Sequence, residues 1–228
     1  MDVEQVTFTY SIEKVVALEI TLSGPRLAKY VEGATGDKAA ALQRYVFNTT
    51  VSEAFYTPLQ GLEICLRNSL STHLPRVCGT DWFKENACSL FNYPVPEMLR
   101  QAAGKLVEER KSITDANIIA ELNLGFWITI LGPKYETDIW RPGLRLAFPH
   151  RPRGIERKQI QGALNSIRRL RNRVAHHEPI LDRKLSLDHS LIIGLISWMC
   201  PDTAAWVEAH SRVPAVLDSA NWKDPTAR

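Results

Sequence analysis

The sequence predicts an all-α protein, because apolar residues recur three and four positions apart along most of the chain. The one stretch that alternates like a strand is residues 3–10. Hydrophobic residues make up 45% of the 228 positions and charged residues 23%, which is typical of globular proteins and excludes disordered and collagen-like chains. We therefore expect a single helical domain over residues 1–228, in which residues 1–22 form an irregular N-terminal segment.

Start and stop signals divide the first half of the chain into three helices, which we expect at residues 23–32, 37–48 and 52–74. Ser23 is an N-cap residue with a proline in the first turn behind it, and Asp37 can cap the second helix. Pro58 and Gly61 should bend or split the third helix, because proline cannot donate to the helical ladder. Residues 78–96 are expected to form a loop, since glycine, asparagine and proline interrupt them.

The second half continues as helices, which we expect at residues 96–111, 114–131, 134–146, 155–175, 185–199, 201–210 and 213–217. Thr114 or Asp115 can cap the second of these, and Gly132 and Pro133 end it. The segment 185–199 is almost wholly apolar, which predicts a helix at the centre of the core.

Cysteine spacing and apolar run length indicate the compartment. The four cysteines form no CxxC pair and no metal-ligand spacing, so we expect reduced, mostly buried thiols and no metal site: Cys65, Cys78, Cys88 and Cys200. The longest apolar run, residues 191–200, is too short to cross about 30 Å of hydrocarbon, and the first residues lack a signal-peptide pattern. No glycine-rich nucleotide motif occurs. We expect a cytoplasmic protein that binds no membrane and no cofactor.

Positive charge is concentrated in one window of the chain. Residues 141–173 contain ten Lys or Arg residues and one acidic residue, Glu156, and so carry +9, whereas the whole chain carries +3. Such asymmetry is the electrostatic footprint expected of a phosphate-binding face. The alternative is that four basic residues in the middle of the window form a solvated linker and helix start: Arg151, Arg153, Arg157 and Lys158.

The helix predicted at residues 155–175 has an apolar stripe and a polar face. At about 100° per residue, the stripe contains Ile160, Ala163, Leu164, Ile167, Leu170 and Val174. Asn172 and His176 lie one turn apart on the polar face, with Arg168 behind them. Arg171 lies at the edge of the stripe. His177 falls beside the core, where we expect it to pack or to form a hydrogen bond.

Arginine, asparagine and histidine on one exposed face are sufficient for RNA cleavage without a metal ion. Histidine exchanges protons near neutral pH, and arginine holds a phosphate in a bidentate fork. A base removes the 2′-OH proton, the oxygen attacks the adjacent phosphorus, and an acid protonates the leaving 5′-oxygen. The alternative is a helix C-terminus at which His176 and His177 interact favourably with the helix dipole.

Four segments, in order along the chain, resemble one protein family. Arg171-Asn-Arg-Val-Ala-His176 is similar to the R-x4–6-H motif of HEPN-domain proteins, and residues 170–180 are similar to the signature of bacterial Abi-like (abortive-infection) proteins. Three upstream segments resemble the same group: residues 58–69, 124–131 and 135–140. The resemblance covers residues 23–180.

The resemblance implies a HEPN-like helical bundle with additional N-terminal and connecting helices, which often dimerises with the motif helices facing each other. Catalytic members are metal-independent ribonucleases of phage-defence and toxin–antitoxin systems. By position, Arg171, Asn172 and His176 would be catalytic. RNA, a second copy of the chain and an antitoxin or inhibitory RNA would be partners. A non-catalytic RNA-binding or scaffold HEPN protein is the alternative, and a helical module whose basic window binds an acidic protein is a third.

Several residues would support this site. Glu63 and Arg67 are four positions apart on one predicted helix, which favours an ion pair. The pair either fixes its helix, positions Arg171, or lines an RNA groove. The full supporting or RNA-binding set is Glu63, Arg67, Asn68, Arg168, Arg173 and His177.

Overall fold

The structure, a computed structural model that describes residues 8–84 and 87–219, is all-α as predicted, and the described residues contain no strand. Its helices are α1 (Ile12–Leu22), α2 (Gly24–Glu32), α3 (Lys38–Ala54), α4 (Tyr56–His73), α5 (Pro75–Cys78), α6 (Val95–Glu108), α7 (Asp115–Glu121), α8 (Leu124–Thr129), α9 (Arg157–Ala175), α10 (Leu185–Met199), α11 (Pro201–His210) and α12 (Val213–Ser219). Short 3-10 and π turns lie between α8 and α9, at Pro133–Tyr135, Glu136–Trp140 and Leu144–Ala147.

The second half of the predicted irregular N-terminal segment is helical, because residues 12–22 form α1. The Ser11 hydroxyl accepts a hydrogen bond from the Lys14 N–H and so caps the helix. One side of α1 packs on the core through Val15, Leu18 and Leu22. Residues 8–10 are not in a strand, and the rest of the strand predicted at 3–10 lies outside the described residues.

The long helix predicted at residues 52–74 is divided, but not where the sequence indicates. The break falls at Phe55, between α3 and α4. Pro58 then lies in the first turn of α4. Backbone N–H groups of the first turn have no acceptor within the helix, so the N–H that proline lacks costs no helical hydrogen bond. Gly61 continues the helix, and a Cβ at this position would lie 2.6 Å from a methyl group of Val207. The glycine therefore allows α11 to approach α4 closely.

The core is centred on α10, as its apolar sequence predicts. Helix α10 packs on α4, α9, α11 and α12, and its buried apolar side chains are Leu185, Ile192, Leu195, Ile196 and Met199. A second concentration of large side chains surrounds α8, where the rings of Phe126 and Trp127 are 4.9 Å apart and Trp82 packs on both. All of these side chains belong to one continuous cluster of buried residues.

The helix predicted at 114–131 is also divided. Thr114 caps α7, which ends before Leu122, and the Asn123 side chain accepts a hydrogen bond from Phe126 N–H and caps α8. A second N-cap inside one apolar pattern therefore starts a new helix.

Two cysteines differ from the sequence prediction. Cys78, at the end of α5, forms a disulfide with Cys88, so these two are not reduced thiols, whereas Cys65 and Cys200 are free. The two cysteines are ten positions apart in sequence. Their spacing alone does not predict the bond, because it depends on how the chain between them folds. Among the described helices, none is long and apolar enough to cross a membrane.

Helix α9 is the element that carries the candidate site. Gln159 accepts a hydrogen bond from the Glu156 N–H at its start. Its core stripe is confirmed at Ile160, Leu164, Ile167 and Leu170, all of which are buried. The alternative hypothesis for the basic window, a solvated helix start, is wrong for Arg157. It is buried, forms an ion pair with Glu136, and donates to the Leu131 carbonyl at 2.7 Å.

Candidate functional site

The C-terminal end of α9 is a Schellman motif that separates His176 from His177. The Glu178 N–H donates to the Arg173 carbonyl at 2.8 Å, and the His177 N–H donates to the Val174 carbonyl at 3.2 Å. His176 is the C-cap residue, and His177 has a φ of +56°, in the left-handed region that glycine usually occupies. The helical wheel therefore does not extend to His177. Its side chain is exposed and not beside the core, which corrects the sequence prediction.

Two side chains from neighbouring helices hold the segment that follows His176. Arg26, at the start of α2, donates to the His177 carbonyl at 3.0 Å. Asn48, buried in α3, accepts from the Ile180 N–H at 2.7 Å and donates to the Glu178 carbonyl. Asn48 is not among the residues predicted to act at this site. Its sequence signal is its spacing of seven and three residues from Ala41 and Val51, which places an asparagine on the apolar side of the helix, and a buried polar group must be hydrogen-bonded.

Arg171 lies beside α4. Its Nε is 3.6 Å from Oε2 of Glu63, so the Glu63 carboxylate faces Arg171. The sequence also allowed an ion pair between Glu63 and Arg67, which the described residues do not form. The Nε of Arg67 is buried and has no hydrogen-bond partner among the described residues. All three side chains line a groove of about 490 Å³ between α4 and α9, which Tyr56 and Val174 also border. The contact of Glu63 with Arg171 agrees with the hypothesis that Glu63 positions Arg171.

Asn172 and His176 lie on another side of α9. Both are exposed, and neither side chain forms a hydrogen bond or ion pair within the described part of the chain. Asn172 follows Arg171 by about 100° around the helix and His176 by about 140°, so neither borders the groove next to α4. Within one chain the three predicted catalytic residues therefore do not converge on one cavity.

The remaining predicted residues are distributed around these. Arg173 forms a two-pronged ion pair with Asp182, with the shorter contact at 2.7 Å, and so is already engaged. Arg168 is half-buried and reaches over α8, since a Cβ on Gly125 would lie 3.9 Å from its Nη1. Asn68 is exposed on the far side of α4, in a groove that also contains the free cysteines, and does not border the Arg171 groove.

The four family-like segments converge on α9 in space. The first, in α4, supplies Glu63 to Arg171. The second forms α8, which packs on α9. The third supplies Glu136, the ion-pair partner of Arg157. Segments that are distant in sequence thus contact one helix through two ion pairs and one packed interface.

The basic window divides into residues that stabilise the fold and residues that do not. Five of its ten cations have partners: Arg141, Arg151, Arg157, Arg171 and Arg173. Arg151 donates to three backbone carbonyls. The side chains of the other five make no ion pair or hydrogen bond to any described residue: Arg145, Arg153, Lys158, Arg168 and Arg169.

No known protein family, no curated protein and no solved structure matches this chain. Over residues 8–84 and 87–219 there is also no cluster of three or more His, Cys, Asp or Glu side chains that could hold a metal ion.

Proposed function

We propose that the protein is a metal-independent endoribonuclease of phage-defence or toxin type, which cleaves RNA by 2′-OH attack. The observation that carries the proposal is the exposed pair Asn172 and His176 at the end of α9. Their side chains have no partner among the described residues, although the backbone around them is held by the Schellman motif, Arg26 and Asn48. A fixed backbone with uncommitted polar side chains is what a site for an external substrate requires.

Each residue has a role that its chemistry suits. His176 exchanges the proton of the 2′-OH or of the leaving 5′-oxygen. The Arg171 guanidinium, aligned by Glu63, holds the phosphate and stabilises the charge that develops on it. Asn172 orients the substrate or the imidazole by hydrogen bonding. Because Arg171 and His176 lie on different sides of α9, one chain presents only part of this set toward any one phosphate.

A two-fold dimer that joins two α9 helices completes the set in this proposal. An isologous interface brings the same face of both copies together, so that Arg171 of one chain can act beside His176 of the other. Oxidative cross-linking of a His176→Cys variant, with Cys65 and Cys200 changed to serine, tests the arrangement. We expect a covalent dimer. The described surface also has an apolar stripe on α1, at Ile12, Val16 and Ile20. Cross-linking through Ile20→Cys and not through His176→Cys would place the interface there instead.

The same proposal concerns location and partners. In this proposal the protein acts on RNA in the cytoplasm, and an antitoxin or an inhibitory RNA restrains it.

A non-catalytic RNA-binding or scaffold HEPN protein is the second candidate. The observation that favours it is the separation of Arg171 from His176 within one chain. Such a protein would bind RNA through the uncommitted cations of α9, namely Lys158, Arg168 and Arg169, with strong salt dependence and no turnover.

The experiment that tests the proposal is RNA cleavage by the purified chain, compared with a His176→Gln variant. We expect cleavage by the wild type and none by His176→Gln. His150→Gln is the matched control, because His150 is an exposed histidine outside the site. RNA binding without cleavage products by the wild type would support the second candidate.

A further inference from the structure

A second groove follows the polar face of α9. It has a volume of about 290 Å³ and lies between α9, the turn after α8 and the loop before α6. Three polar side chains of α9 line it, namely Gln161, Asn165 and Arg168. They are spaced four and three residues apart, so they lie on one face of the helix. Asn172 and His176 continue the same row at intervals of four. The row thus leads out of this groove to the proposed catalytic histidine, about 12 Å beyond Arg168 along the helix axis.

An exposed aromatic ring stands at the other wall of the groove. Tyr93 lines the groove and is 77% exposed, so most of its ring is open to a ligand. The loop that carries it is fixed, because the buried Tyr135 hydroxyl donates to the Asn92 carbonyl at 2.9 Å and accepts from the Asn92 N–H at 3.2 Å. The Tyr93 ring therefore extends from an anchored backbone, and most of its area has no packing partner.

Two cations border the groove. Lys134 is exposed, and Arg168 reaches in from α9. Neither side chain makes an ion pair or hydrogen bond with another described residue, whereas many other basic side chains of this region are engaged. A groove with a basic lining and no carboxylate among its lining residues favours an anionic ligand.

An aromatic platform beside uncommitted cations is the combination by which proteins bind single-stranded nucleic acid. A base stacks on the ring, and the cations contact the phosphates on either side. A duplex does not suit this groove, because its bases are stacked on each other and cannot reach Tyr93.

We infer that this groove binds single-stranded RNA and leads it to His176, with Tyr93 stacking on a base and Lys134 and Arg168 contacting phosphates. The inference rests on the proposed ribonuclease function and adds to it the class of substrate and the path along which the strand lies. Asn165 and Gln161 supply hydrogen-bonding groups between the two cations.

Fluorescence anisotropy with a short single-stranded oligonucleotide tests the inference. Every 2′-hydroxyl of the probe is methylated, so that it cannot be cleaved, and binding is measured separately from activity. We expect Tyr93→Ala to weaken binding about tenfold and Tyr93→Phe to bind like the wild type, because stacking needs the ring and not the hydroxyl. We expect Lys134→Gln and Arg168→Gln each to lower the slope of log K against log salt by about 0.7, the value of one phosphate contact with a single strand.

Arg153→Gln is the matched charge control. Arg153 is exposed in the same basic window but does not line the groove, so we expect its salt slope to equal that of the wild type. Tyr93 and Lys134 are both exposed, so their variants should fold even if Arg168→Gln does not. Wild-type affinity of both Tyr93→Ala and Lys134→Gln, or equal affinity for the matching duplex, would overturn the inference.

The same variants distinguish the groove from the activity. If the wild type cleaves RNA and the groove variants bind the probe as the wild type does, the proposed RNA-binding groove is wrong and the proposed ribonuclease activity stands. Groove-dependent binding with no cleavage contradicts the ribonuclease and leaves the groove as an RNA-binding site.

Discussion

The Nε of Arg171 lies 3.6 Å from Oε2 of Glu63, and this contact joins the helix that carries the proposed catalytic residues to α4. The side chains are 40% and 27% exposed, so the pair is partly solvated. Ion pairs of this kind contribute less than about 1 kcal/mol to stability. The contact therefore matters more for where the guanidinium lies than for whether the protein folds.

Replacing Glu63 by glutamine should lower RNA cleavage about tenfold and change the free energy of unfolding by less than about 1 kcal/mol. Arg171→Lys should lower cleavage further, because an ammonium group cannot reproduce the bidentate fork on a phosphate. In the Arg171→Lys background, Glu63→Gln should have little additional effect, because the carboxylate acts through the arginine. Cleavage rates of the two single variants and the double variant measure this coupling, and additive losses would show that Glu63 does not act through Arg171.

His177→Gly should stabilise the protein by about 1 kcal/mol. His177 adopts a φ of +56° at the end of α9, a conformation that costs a residue with a Cβ and does not cost glycine. Because the His177 side chain is exposed, its removal loses no packing. Urea denaturation measures the change. His177→Val is the opposite control and should destabilise, since a β-branched residue tolerates this region least. Equal midpoints for the glycine and valine variants would mean that the helix does not end in this way.

Asn48→Ala should destabilise the protein by about 2 kcal/mol. Asn48 is buried, and its loss leaves the Ile180 N–H without its acceptor, the Asn48 side-chain oxygen 2.7 Å away. Thr49→Ala, an exposed neighbour on the same helix, should cost less than about 0.5 kcal/mol. Both values come from denaturant melts. If Asn48→Ala costs no more than Thr49→Ala, the clamp on the segment after His176 contributes nothing.

The stability of the protein should fall as the pH drops below about 6.5. Burial lowers the pKa of His189 from its usual value of 6.5, although Glu208 opposes the shift, and the ring forms a hydrogen bond with Ser211. As the pH falls through 6.5, the unfolded chain takes up this proton before the folded chain does, so protonation favours unfolding. His189→Gln should reduce the slope of stability against pH in this window. His73 should supply part of the remaining slope, because burial lowers its pKa as well.

Periodicity alone predicted the core face of α9. Four apolar residues of its predicted stripe are buried, because a nineteen-residue helix keeps one register over its whole length. The same reasoning failed at His177, where the helix ends without the glycine that usually marks such an end. A helical wheel assumes helical geometry at every residue, so it places a residue beyond the end of the helix wrongly.

The remaining differences come from contacts between distant parts of the chain. Arg157 looked solvated in sequence, yet its partner Glu136 is 21 positions away, and the partners of Asn48 are 130 and 132 positions away. The Cys78–Cys88 disulfide likewise depends on how a loop closes. Local patterns set which residues are helical, whereas tertiary packing decides which polar side chains remain uncommitted at the site.

The measurement that tests the central proposal most directly is mass spectrometry of the RNA ends produced by the purified protein in excess chelator. Attack by the 2′-OH leaves a 2′,3′-cyclic phosphate on one fragment and a 5′-OH on the other. We expect both ends with the wild type, and no products when the scissile nucleotide is 2′-deoxy or when His176 is replaced by glutamine. Products with 5′-phosphate ends that form only with added magnesium would contradict the proposed mechanism.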